Sequence, residues 1–119
     1  MADIDEMVKK CVETFGAPAQ FKKAIQELNE YAVVLSKFEE GRATIDEVAG
    51  ENADVLFVSL RQIEFIMNSI SGGKYSDMVR RELDYKVNRM ENRIEMELMA
   101  RKLQEQAQKE QELKNQEKH

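Results

Sequence analysis

Apolar residues recur at helical spacing along most of the chain, and the runs are separated by glycine and proline. Ile4, Met7, Val8, Cys11, Val12 and Phe15 mark one face of a helix over 3–15. Gly16-Ala17-Pro18 ends it. A second helix is predicted from about Ala19 to Glu40, with Phe21, Ala24, Ile25, Leu28, Ala32 and Leu35 as its apolar stripe. Gly41 stands where a helix end calls for left-handed backbone.

Thr44-Ile45-Asp46-Glu47 reads as a capping box, and it opens a third helix that runs to about Ile70. The middle of that helix, Val55-Leu56-Phe57-Val58, is apolar all round, which places it centrally or at a subunit interface. Ser71-Gly72-Gly73 is the next break. A fourth helix starts near Tyr75, with Val79, Leu83, Val87, Met90, Ile94 and Leu98 as its stripe. After about Lys102 apolar residues nearly stop. QEQAQKEQELKNQEKH tolerates helix but has little to bury, so a solvated, fraying extension is expected. Leu103 and Leu113 alone do not sustain the heptads of a coiled coil.

Composition narrows the function classes. A chain of 119 residues fits one domain with a small core, for which burial against another subunit would help. The net charge of −5 argues against a nucleic-acid polymer as partner. No apolar run is long enough to span a bilayer. MADIDEMVKK has no charged-then-apolar leader pattern, and Cys11 has no second cysteine to pair with, so a cytoplasmic protein is expected.

Two acidic pairs stand out against this background. Glu27 and Glu30 lie three residues apart on the second helix, and Glu51 and Asp54 three apart on the third. Each pair projects from one helix face. A short connection makes the two helices antiparallel neighbours, so the four carboxylates can come level. Clustered carboxylates oppose one another's ionisation, and a hard divalent cation resolves the conflict. The competing reading is a solvated acidic stripe that includes Glu47.

From Phe15 to Ile94 the chain resembles the MazG-like all-α nucleoside triphosphate pyrophosphohydrolases. The resemblance rests on Glu27-x-x-Glu30 followed by Glu51-x-x-Asp54, on Gln20-Phe21-Lys22-Lys23-Ala24-Ile25-Gln26-Glu27-Leu28, on Ala53-Asp54-Val55-Leu56, and on the basic segment Tyr85-Lys86-Val87-Asn88-Arg89-Met90. It implies hydrolysis of the α–β phosphoanhydride of a nucleoside triphosphate, giving a monophosphate and pyrophosphate. The four acids would ligate Mg²⁺, or Mn²⁺ in its place, and Glu27 would act as base. Lys86 and Arg89 would neutralise phosphate charge, and Gln20, Lys23 and Asn88 would be further substrate contacts. The implied fold is all-α: an antiparallel four-helix bundle over 1–100 with a polar helical extension over 101–119, assembled as a dimer or tetramer. Gly50 and Asn52 depart from the family pattern, which leaves room for a catalytically silent module of the same fold that binds a nucleotide or a protein.

Other features carry less. Gly72-Gly73-Lys74 lacks the rest of a phosphate-binding loop. His119 stands alone, Cys11 lies on an apolar face, and Arg80-Arg81 reads as surface charge. Tyr31, Phe57, Phe65 and Met67 read as core, with base stacking the minor reading.

Overall fold

The computed structural model describes residues 3–117, and every regular element among them is helical. The chain divides into two compact units, Met1–Ser76 and Asp77–His119.

In the first unit α1 spans Ile4–Phe15, capped by Asp3, whose Oδ1 accepts from the Asp5 amide at 3.0 Å. α2 follows at once over Ala17–Glu39, with Pro18 in its first turn, where a missing N–H costs nothing. The chain leaves α2 through Gly41, whose φ of 75° suits glycine alone without strain. The predicted capping box is present. The Glu47 amide donates to Thr44 Oγ1 at 3.1 Å, the Thr44 amide donates to Glu47 Oε1 at 3.4 Å, and α3 runs over Ile45–Asp54.

The third helix departs from its expected continuous α form. After Asp54 the backbone widens into a seven-residue π-helical segment, Val55–Arg61, and returns to α geometry in α4, Gln62–Ser71. α4 ends at Gly72 in left-handed backbone, as the glycine pair predicts, and the Gly73 amide closes onto the Asn68 carbonyl at 2.8 Å. α5, Tyr75–Glu117, then begins, its first amide held by Ser71 Oγ at 3.0 Å.

The core of the first unit lies where α2 packs against α3, the π segment and α4, with α1 across them. α2 buries Gln20, Ala24, Glu27 and Val34. The opposing helix buries Val55, Ser59, Gln62 and Ile66. Both sets follow a 4-and-3 spacing, the seam of two helices packed along their length. Val8 of α1 is also buried. The α2 stripe read from hydropathy is therefore rotated: Ala24 is inside, but Ile25, Leu28 and Leu35 are 59%, 47% and 42% exposed. Glutamine and glutamate take seam positions that a hydropathy reading gives to apolar side chains. Likewise Val55 is buried but Leu56 is half exposed, so the apolar middle of the third helix has an outward face within this chain.

The second unit is α5 from Asp77 onward, and it buries no residue of its own. The stripe Val79, Leu83, Val87, Met90, Ile94 and Leu98 lies exposed in the chain. Helix continues past Lys102 to Glu117 as an exposed polar extension, regular to its last described residue and without the fraying expected of it. No helix among the described residues is long and apolar enough to cross a membrane.

Candidate metal centre

Two contacts fix the direction of the helices that carry the acids. Ser59 Oγ donates to the Ala24 carbonyl at 2.9 Å, and the carboxylates of Glu27 and Asp54 share one cluster. As the numbers rise along α2 they fall along the opposing helix, so the two run antiparallel, as the short connection predicts.

Three of the four acids meet. One carboxylate oxygen from each of Glu27, Glu51 and Asp54 lies within 4.8 Å of the others. Oxygens bound on opposite sides of one Mg²⁺ are about 4.2 Å apart, twice the ligand distance, so small side-chain adjustments bring these three into one coordination sphere. Glu27 is 5% exposed, Glu51 is half-buried and Asp54 is exposed, which grades the cluster from seam to solvent. Glu30 stands apart from the three. Its Oε1 accepts from Gln26 Nε2 at 3.0 Å, one turn away on α2. It does share a cleft of about 340 Å³ with Glu51, also lined by Asn29, Val33, Val34, Lys37 and Glu47.

The carboxylates of the cluster act on one another's ionisation. Burial pushes the Glu51 carboxyl above the ordinary glutamate value of 4.5, and the charges of Glu30, Asp54 and Glu27 push it further in the same direction. Glu27 Oε2 and Glu51 Oε2 are both buried without a hydrogen-bond partner. A buried carboxylate oxygen left unpaired is costly, and a metal ligand bond would satisfy each. The other Glu27 oxygen pairs with Lys23 Nζ at 3.3 Å. The residues present thus fit a hard divalent ion.

Of the remaining predicted contacts, Gln20 is buried on the α2 seam, and Lys23 is occupied with Glu27. Lys86, Asn88 and Arg89 lie exposed on α5 in the second unit. The Arg89 guanidinium sits over the Tyr85 ring at 5.9 Å, and neither Lys86 nor Arg89 forms an ion pair among the described residues. Tyr31, Phe57, Phe65 and Met67 are half-buried, Cys11 is half-buried and free, and Arg80 and Arg81 are exposed. His119 lies outside the described residues.

Sequence reasoning passed over Ser59 and Gln62, two polar residues buried on the seam at 3% and 2% exposure. Their only sequence signal is the 4-and-3 spacing with Val55 and Ile66. Gly50 and Asn52, the departures from the family pattern, are both exposed. Open space surrounds a Cβ built on Gly50, and solvent reaches the Asn52 side chain. No family model, no curated protein and no solved structure matches this chain.

Proposed function

We propose that the chain is a Mg²⁺-dependent nucleoside triphosphate pyrophosphohydrolase, acting on an NTP or dNTP to release the monophosphate and pyrophosphate. The observation that carries this reading is the convergence of Glu27, Glu51 and Asp54 oxygens from two helices, two of those carboxylates having a buried oxygen without a partner. Glu30 joins as the fourth ligand by releasing Gln26, a rotation of an exposed side chain. When bound, the ion offsets triphosphate charge and acidifies water. Glu27 is the proposed acceptor of the proton from the attacking water, through the oxygen that pairs with Lys23, once that pair opens and the other oxygen holds the ion. Glu51 is the second reading for that role, because its surroundings raise its proton affinity. The resemblance implies positive charge from Lys86 and Arg89 at the phosphates and polar contacts from Gln20, Lys23 and Asn88; in this chain Gln20 is buried on the α2 seam, Lys23 pairs with Glu27, and Lys86, Asn88 and Arg89 are exposed on α5.

The four-helix bundle and the homo-oligomer belong to the same reading. Their support is the amount of apolar side chain left outward: Ile25, Leu28, Leu35, Leu56 and Leu60 in the first unit, and the α5 stripe in the second. A second copy of the chain is the proposed cover, in a dimer or tetramer. A cytoplasmic setting fits nucleotide chemistry and an unpaired cysteine.

The test is a panel of canonical and modified triphosphates with Mg²⁺ or Mn²⁺, with monophosphate and pyrophosphate detected separately. Equal amounts of both products, lost with EDTA and with Glu51→Gln, are expected. No turnover across the panel overturns the proposal. Tight nucleotide binding by calorimetry without turnover would favour the silent module instead. The exposed positions of Gly50 and Asn52 weaken that alternative, since neither substitution disturbs the seam that holds the acids.

A further inference from the structure

The acids sit on two helices whose apolar contacts do not by themselves fix a register, and the other polar side chains buried on the seam, Gln20 and Gln62, form no hydrogen bond across it among the described residues. Ala24, Val34, Val55 and Ile66 resist separation but not a small slide or rotation, because burial of apolar area has no preferred direction. A metal site tolerates little of either. Ligand distances hold to about 0.2 Å, and a useful site is held to about 0.5 Å.

One interaction across the seam is directional. Ser59 Oγ donates to the Ala24 carbonyl at 2.9 Å, in a setting where Ser59 is 3% exposed. Among the described residues it is the only hydrogen bond or ion pair joining α2 to the helix that carries Glu51 and Asp54. Its ends lie close to the cluster. Ala24 precedes Glu27 by three residues, about 4.5 Å of helix rise. Ser59 follows Asp54 by five, inside the π-helical segment that begins directly after Asp54. A π turn changes the angular position of every following side chain relative to an α-helix. Here it brings a serine hydroxyl, and not a larger apolar side chain, against the α2 backbone.

We infer that Ser59 is a positioning residue for the metal centre: its hydrogen bond to the Ala24 carbonyl sets the register at which Glu27 of α2 meets Glu51 and Asp54 of α3. The inference rests on the metal-dependent reading above and deepens it. Losing the bond leaves the carbonyl of Ala24 with its own helix and removes the only directional restraint across the seam. The helices then stay packed while the carboxylate oxygens spread.

The experiment compares Mn²⁺ binding to the full chain by electron paramagnetic resonance for wild type, Ser59→Ala and Ile66→Val. Melting temperatures are taken in EDTA for all three. Ile66 lies on the same seam, and its substitution removes a methylene without touching a polar contact. Ser59→Ala is expected to weaken Mn²⁺ binding by about ten-fold, the scale of losing a group that orients a ligand, while Ile66→Val lowers the melting temperature and leaves Mn²⁺ affinity as in wild type. Ser59→Thr, which keeps the donor, is expected to recover affinity where it folds. Unchanged affinity in Ser59→Ala overturns the inference, whatever its melting temperature. So does an equal loss in Ile66→Val, which would make general packing the cause. If wild type binds no Mn²⁺, the metal reading itself falls and this inference with it. Binding in wild type with none of the expected contrast overturns only the role of Ser59.

Discussion

Glu51 is where function and stability oppose each other most directly. Burial and three neighbouring acids raise its proton affinity in the folded chain, so without metal the folded chain holds this proton more tightly than the unfolded chain does. Relative to the unfolded chain, that stabilisation is complete below pH 4.5 and is lost as the pH rises through the raised folded value. The metal-free protein should therefore melt at lower temperature as the pH is raised from that region towards neutrality. On the proposed function Mg²⁺ takes the place of the proton, so its stabilising effect should grow over the same range and fade on acidification. Thermal melts in EDTA and in Mg²⁺ across pH check both slopes. Glu51→Gln removes the repelling charge. It should raise the metal-free melting temperature at neutral pH, flatten its pH dependence and abolish both metal binding and turnover. A lower melting temperature for Glu51→Gln in EDTA would contradict this account. That Glu51 and Asp54 come together was legible in sequence, because i, i+3 spacing fixes a shared helix face. That Glu30 would stand aside on Gln26 was not, since a side-chain rotamer leaves no trace in spacing.

At the level of elements, the helix ends were the legible part. The Thr44–Glu47 box, the Gly41 exit and the Gly72-Gly73 break each have a local chemical cause, and each is present. Two features had no such cause. The π-helical segment Val55–Arg61 adds width without a residue type that announces it. The buried face of α2 was misplaced because apolar periodicity marks whichever face is greasier, and here Gln20 and Glu27 occupy the seam while Ile25, Leu28 and Leu35 face outward. The local causes yield predictions of their own. Thr44→Ala loses a cap and should cost about 1 kcal/mol. Gly50→Ala puts a methyl into open space on a helix and should stabilise by up to about 1 kcal/mol. In a unit of this size each corresponds to a shift of about 4–8 °C in melting temperature, in opposite directions. Mn²⁺ affinity should not move with Gly50→Ala, because helix phase is unchanged. A drop would mean that the backbone at Gly50 needs glycine for the site itself.

On the scale of the whole molecule, the question is what covers α5. A helix of 43 residues with no buried side chain gains little from its own hydrogen bonds, since most helical stability comes from packing one face. Its six stripe residues, from Val79 to Leu98, are 44–57% exposed. Covering the exposed half of each contributes about 1 kcal/mol apiece, against a cost of at least about 4 kcal/mol for bringing two chains together. Counted over both copies the gain is about 12 kcal/mol, and ordering the side chains at roughly 0.5–1.5 kcal/mol each offsets most of what remains, so the α5 stripe alone would associate weakly. Adding the outward residues of the first unit, Ile25, Leu28, Leu35, Leu56 and Leu60, roughly doubles the gain and makes a stable assembly reasonable. Light scattering should then give a dimer or tetramer at micromolar concentration. The double substitution Leu83→Lys and Ile94→Lys should shift it towards monomer, with a loss of helical circular dichroism as α5 goes uncovered. The first unit keeps its seam and its acids in that variant, so Mn²⁺ binding should outlast assembly. Turnover should fall, because Lys86 and Arg89 lie on the same helix as the disrupted stripe. A wild-type monomer by light scattering would remove the second copy as the cover for α5, while the carboxylate cluster of the first unit would still stand to be tested by its metal.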